Sequence, residues 1–252
     1  MIAKGDTPKF IGIQVYTGSH TWARDFSRLA KQRFPEAPVI VGGPHISVLT
    51  ESAMEFIDCE YGVFGEGERP ILDFARFLDG EITDPADVLA LFYKGEDGNW
   101  MRSKDMNGAY ADANEIPMPA WDLLDPTQYF EHMNSLTLPL RGRHAVPLLG
   151  SRGCPYKCTF CSSPFLTESN RAMRYRTPES IVDEIRYLKE NFGVDEILFN
   201  DDNLTLNMKR AEKLFDAIIE ANLNIHWRAP NGVRVDRVNT GAILVHGNGQ
   251  VI

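Results

Sequence analysis

Ala145-Val146-Pro147-Leu148-Leu149-Gly150-Ser151-Arg152-Gly153-Cys154-Pro155-Tyr156-Lys157-Cys158-Thr159-Phe160-Cys161 sets the reading of this 252-residue chain. Its apolar opening, Ala145–Ser151, reads as a strand. The remainder is a loop carrying cysteines spaced C-x3-C-x2-C. Beyond the loop, Thr177-Pro178-Glu179 starts a helix, with Thr177 as N-cap and Pro178 as its first residue. The cysteines therefore follow a strand and precede a helix, at the strand end where α/β barrels keep their reactive groups. Three thiolates on one loop can each bind one iron of a cubane and leave the fourth iron without a protein ligand. An open iron can be chelated by the amino and carboxylate groups of methionine or its sulfonium derivative. That favours a reactive cluster, since a purely electron-transferring one usually takes four cysteines. Structural zinc is the main alternative, but it needs four ligands, and His144 lies upstream across the strand. A strained disulfide is another, disfavoured in a cytosolic chain. Cys59 stands apart and reads as a small buried hydrophobe.

The alternation continues downstream. Ile181, Ile185, Leu188 and Phe192 mark the buried face of the helix that Gly193 ends. Glu196–Asn200 is the next strand, a helix over about Met208–Glu220 turns Ala211, Leu214, Phe215 and Ile218 inward, and Asn224–Arg228 is a third strand. Upstream the same rhythm runs over the first 80 residues. Phe10–Thr17, Pro38–Val41 and Tyr61–Phe64 read as strands. Between and after them come a helix carrying Trp22, Phe26, Leu29 and Ala30, one over about Val48–Phe56, and one carrying Ile71, Leu72, Phe74, Ala75 and Leu78. Strands separated by helices at this spacing imply parallel sheets with right-handed crossovers. Residues 81–140 differ: Leu89–Tyr93, the turn at Gly95–Gly98 and Trp100-Met101 suggest a β-hairpin, and Ile116–Trp121 is extended by its prolines. The expected organisation is an α/β chain with a first domain over 1–80, a connector over 81–140 and a second domain over 141–252.

Hydrophobic residues make up 43% and charged residues 24%, which fits a globular protein with a core. The formal charge of −9 weighs against a nucleic-acid partner, and the cluster Arg141, Arg143 and His144 reads as a solvated loop. No apolar run approaches the roughly 20 residues of a membrane span. The N-terminus lacks a signal-peptide core, so a cytoplasmic location and a small-molecule substrate are expected.

With Phe160 just before the third cysteine, Cys154-x3-Cys158-x2-Cys161 resembles the radical SAM signature. The resemblance implies a [4Fe–4S] cluster on Cys154, Cys158 and Cys161 that cleaves S-adenosylmethionine (SAM) to a 5′-deoxyadenosyl radical, with the Phe160 region against the adenine. It also implies an external one-electron reductant of flavodoxin or ferredoxin type. Asn200, Asp201 and Asp202 end the second strand of this half, where the family binds the SAM amino group, in an acidic form similar to the cobalamin-dependent branch. An Asx-rich turn capping the next helix is the other reading of this run, and both can hold. The N-terminal half is similar to the cobalamin-binding domain of that branch. Gln14 and Thr17 close one strand, Gly42-Gly43-Pro44-His45 follows the next, and Gly65-Glu66-Gly67-Glu68 follows the third. Glycines there let backbone approach a bulky ligand at the carboxyl edge of a parallel sheet. His45 reads as packing beside its loop rather than as an axial ligand.

The fold implied is a partial Rossmann-like (flavodoxin-like) cobalamin-binding domain followed by an incomplete radical SAM (β/α) barrel. Residues 141–252 are fewer than half of the roughly 250 a full eight-unit barrel takes, and the chain reads as truncated at both ends relative to the family. The tail Thr240–Gly249 reads as a short hairpin. The function implied is radical C-methylation with cobalamin as methyl carrier. The alternatives are a non-methylating radical SAM enzyme and a catalytically incomplete cofactor-binding fragment.

Overall fold

The computed structural model describes residues 7–107, 110–131, 142–161 and 173–233. Arg141 and the tail expected to form a hairpin lie outside them. The chain divides into two units, residues 1–111 with 156–171 and residues 112–155 with 172–252.

The first unit follows the expected alternation. β1 (Ile11–Gln14) leads through α1 (His20–Arg33) to β2 (Val39–Gly42), then α2 (Pro44–Leu49), α3 (Glu51–Met54), β3 (Tyr61–Val63) and α4 (Glu68–Leu78). The first three strands are parallel, with Ile13 opposite Val41 and Val41 opposite Gly62. The hairpin of β4 (Leu91–Lys94) and β5 (Trp100–Arg102) extends the same sheet antiparallel, in the order β1-β2-β3-β4-β5. Side chains alternate between faces along a strand, so β2 serves two cores. Val39 and Val41 join Ile13, Ile46 and Met54 on one face, while Ile40 joins Val63, Phe74 and Leu91 on the other.

Two local features go beyond what the spacing showed. α1 buries Ala23, Ser27 and Ala30, whereas Trp22, Phe26 and Leu29 are exposed, the first two stacked at 4.9 Å. Small side chains let the helix lie close on the sheet, so the bulky stripe faces outward. The single helix expected over Val48–Phe56 begins earlier, at Pro44, and breaks at Thr50, where φ is +49°.

In the second unit, β6 (Ala145–Leu148), β9 (Glu196–Phe199) and β10 (His226–Arg228) form a parallel sheet in the order β10-β9-β6. α5 (Pro178–Phe192) and α6 (Met208–Glu220) make the crossovers, and both contribute to one core with Val146, Leu148, Ile197 and Phe199. Among the described residues these strands do not close into a barrel. The caps of α5 are those expected: Thr177 Oγ1 accepts from Ser180 N at 3.2 Å, and Gly193 at φ +67° ends the helix in the left-handed region. Between β6 and α5 the chain forms a two-stranded antiparallel ladder, β7 (Ser151–Arg152) with β8 (Arg174–Tyr175), which brackets the cysteine loop. Among the described residues no helix is long and apolar enough to cross a membrane.

Candidate functional site

In the first unit the expected residues gather at the carboxyl edge of the parallel strands. Gly43 has φ +97°, and a Cβ there would stand 3.0 Å from Val15 O and 3.1 Å from Val15 N. Only glycine fits this approach of loop to strand. Gly65 also lies in the left-handed region, at φ +76°. Ser47, which the sequence reading did not single out, ties the two glycine loops together. Its hydroxyl donates to Gly43 O at 3.2 Å and accepts from Gly65 N at 2.9 Å. A serine four residues after the positive-φ glycine, at the start of a short helix, was the available signal. Gln14 and Thr17 are exposed, Glu68 is exposed at the start of α4, and Gly42, Pro44, Glu66 and Gly67 are half-buried. The result is an accessible edge made largely of backbone, with carboxylates at one end.

His45 is buried. Its Nδ1 lies 3.1 Å from Thr17 Oγ1 and its ring stacks on His20 at 5.4 Å. Burial, and then the neighbouring His20, hold it below the ordinary imidazole pKa. In this structure it packs its loop.

In the second unit the base of the cysteine loop is a dense polar node. Gly150 O accepts from Arg176 N at 3.0 Å and from Arg210 Nη2 at 2.6 Å. Gly150 N donates to Asp201 Oδ2 at 2.9 Å, and the Ser151 hydroxyl donates to Asp201 Oδ1. Asp201 is 1% exposed. Burial pushes its pKa up, opposed by the Ser151 and Gly150 hydrogen bonds and by Arg210. Its carboxylate thus faces inward and pins the turn between β6 and β7. Its neighbours Asn200 and Asp202 are exposed, while Asn203 is buried with its side-chain oxygen unpartnered in the protein.

None of the four cysteines is in a disulfide. Cys154 and Cys161 are half-buried and Cys158 is exposed. Cys161 N donates to Cys158 O at 3.0 Å, closing a tight turn with Phe160, 92% exposed, at its tip. Among the described residues no three His, Cys, Asp or Glu side chains are gathered as a set of metal ligands. Accessible thiols outside any disulfide on one short loop are the donor set an iron–sulfur cluster takes. Cys59 is 1% exposed and its thiol is pushed up to about 12 by burial, so it is inert packing.

A trio built on buried Glu184 escaped the sequence reading. Glu184 is 1% exposed, accepts from Trp121 Nε1 at 2.9 Å and pairs with Arg176, whose Nη2 also donates to Ser180 O at 3.0 Å. Helical spacing placed Glu184 on α5 but gave no sign of what covers it.

Comparison with known proteins agrees with the two halves. Residues 2–75 match the B12 binding domain and residues 148–239 the radical SAM superfamily. The chain is 31% identical to the uncharacterized methyltransferase PH0819 of Pyrococcus horikoshii over 95% of its own length and 48% of that protein's. It is 26% identical to the cytidylyl-2-hydroxyethylphosphonate methyltransferase of Streptomyces wedmorensis, over 92% of this chain and 46% of that one. The anaerobic magnesium-protoporphyrin IX monomethyl ester cyclase of Rubrivivax gelatinosus is likewise 26% identical, over 87% of this chain and 38% of its own. The chain thus spans about half the length of the two methyltransferases. In fold it resembles the radical S-adenosylmethionine methyltransferase TsrM from Kitasatospora setae, solved with cobalamin and a [4Fe–4S] cluster. The TM-score is 0.68 at 19% identity, over 89% of this chain and 45% of TsrM. It also resembles the cobalamin-dependent S-adenosylmethionine radical enzyme OxsB, with a TM-score of 0.68 at 21% identity, over 94% of this chain and 33% of OxsB.

Proposed function

We propose that the chain, with its B12 binding and radical SAM domains, is the cofactor-holding part of a cobalamin-dependent radical SAM enzyme of C-methylation. The observation that carries this reading is the pinned cysteine loop, its three thiols outside any disulfide and set between the β7–β8 ladder strands, in one chain with a glycine-edged parallel sheet.

Cys154, Cys158 and Cys161 would ligate three irons of the cluster, leaving the fourth for SAM. A cluster held there would supply one-electron reduction of SAM, and cobalamin held by the first unit would supply a methyl group. Phe160 offers an exposed ring to the adenine. Asn200 and Asp202 offer polar side chains at the end of β9, while Asp201 acts from beneath by fixing Gly150 and Ser151. In the first unit Gly42, Gly43, Pro44 and Gly65–Glu68, with Gln14 and Thr17, would meet the cobalamin. His45, turned inward, stabilises the loop. An external one-electron reductant of flavodoxin or ferredoxin type, a small-molecule substrate and a cytoplasmic location complete the reading.

Anaerobic reconstitution with iron and sulfide, then addition of hydroxocobalamin, SAM and dithionite, tests it. We expect charge-transfer absorbance, retained cobalamin and 5′-deoxyadenosine. Protein that binds no iron would refute the assignment. A second reading, radical chemistry without methyl transfer, is favoured by the similarity to the Rubrivivax cyclase. Label from methyl-labelled SAM appearing on cobalamin supports methylation, and retention of cobalamin without label supports the second reading.

A further inference from the structure

We propose that Arg210 is a positioning residue for the cysteine loop. From the first turn of α6 it clamps the two chain segments between which the loop leaves and returns. Its Nη2 donates to Gly150 O at 2.6 Å, just before β7, and to Arg176 O at 3.3 Å, just after β8. The guanidinium also lies over the Tyr175 ring, 5.3 Å from its centroid. The backbone behind it is fixed, because Arg210 N donates to Oδ1 of the capping Asn207 at 3.2 Å.

Gly150 is where that grip acts. Glycine is free to turn about both its dihedrals unless its neighbours hold it. Here Asp201 takes its N–H, while Arg210 Nη2 and Arg176 N donate to its carbonyl. The two peptide planes that meet at Gly150 are thus each held, which sets the direction in which the chain leaves β6 for Cys154. A Cβ on Gly150 would stand 3.1 Å from Arg210 Nη2 and 3.2 Å from Ile181 Cδ1, so the guanidinium fills the space a side chain would need.

Stability alone does not account for an arginine here. Its Nε and Nη1 are buried with no hydrogen-bond partner in the protein, and among the described residues no carboxylate forms an ion pair with it. Burying a charge with donors left unmatched is unfavourable. The contacts Arg210 does make are those of Nη2, and they close the neck of the loop. Among the described residues the thiols are not gathered into a ligand set, so they must move to close on a metal. A fixed base reduces what remains to be ordered when they do. Which metal the loop takes rests on the function proposed above, whereas the clamp does not.

Arsenite tests this on the iron-free chain, because soft As(III) takes three thiolates and needs no reductant. Cys59, sealed in the core, does not compete. We expect Arg210→Met to weaken arsenite binding at least about tenfold, the loss of one charge-assisted hydrogen bond. Arg210→Lys, which returns a cationic donor, should fall between Met and the native chain. Gly150→Ala should also weaken binding, by pushing Nη2 off the carbonyl while Arg210 stays in place. Ile218→Val, on the core face of the same helix, controls for stability and should bind as the native chain does. Urea unfolding establishes that each variant is folded. Native affinity in Arg210→Met, Lys no better than Met, or an equal loss in Ile218→Val would overturn the proposal. Should Arg210→Met not fold, native affinity in Gly150→Ala would overturn it instead. Failure to assemble a cluster would refute the function above and leave the arsenite result standing, and the converse also holds.

Discussion

Asp201 shows how one buried side chain can organise a reactive loop without reaching it. Its carboxylate takes the Gly150 N–H and the Ser151 hydroxyl, beside the Arg210 guanidinium that holds Gly150 O. Asp201→Ala orphans both donors, and we expect a loss of about 2–3 kcal/mol in denaturant unfolding of the second unit, together with poorer iron retention. The sequence could not show this. In Asn200-Asp201-Asp202-Asn203 nothing periodic distinguishes the inward carboxylate from the outward one. The cysteines were readable because spacing along a single loop is a property of sequence alone. Their environments were not, and these differ: Cys59 is sealed with its thiol pushed up to about 12, while the other three are half-buried or exposed. A thiol-reactive dye at mild pH should therefore label three cysteines in the native chain and the fourth only on unfolding.

At the scale of elements, α5 and α6 were read correctly because caps and apolar faces agreed. Thr177, Pro178 and Gly193 fix the ends of α5, and Ala211, Leu214, Phe215 and Ile218 are the residues α6 buries. In α1 the spacing showed a helix but not its buried face: Trp22, Phe26 and Leu29 are exposed, while Ala23, Ser27 and Ala30, whose small size lets the helix close on the sheet, are buried. Hydrophobicity ranks side chains by size, whereas close approach selects for its absence. The same rule governs the loop after β2. Gly43→Ala would place a methyl against Val15 O at positive φ, and we expect about 2 kcal/mol of strain. Urea unfolding would measure that loss, and equilibrium dialysis would show weaker retention of hydroxocobalamin. Thr177→Ala should cost about 1 kcal/mol through the lost cap without touching cobalamin.

For the whole molecule, separate cores imply separate transitions. Trp22 and Trp100 lie in the first unit and Trp121 and Trp227 in the second, so single-tryptophan variants should resolve two unfolding curves. Acid should act on the first through Glu51. The Arg102 guanidinium, at 2.7 and 3.0 Å, holds its pKa down to about 2 from an ordinary 4.5. A carboxylate with a depressed folded pKa stabilises the fold above its unfolded value, and that contribution is lost as pH falls from about 4.5 towards about 2. Both side chains are partly solvated, so about 1 kcal/mol is at stake. Glu51→Gln should remove this part of the acid dependence from the first curve and leave the second unmoved. The β7–β8 ladder has a consequence for metal uptake. By joining Ser151 to Tyr175, it holds both ends of the excursion that carries the thiols, so under the proposed function they would meet iron as one tethered chelator. Once the first sulfur had bound, the others would act at an effective concentration on the order of millimolar, and capture would depend on a single bimolecular encounter.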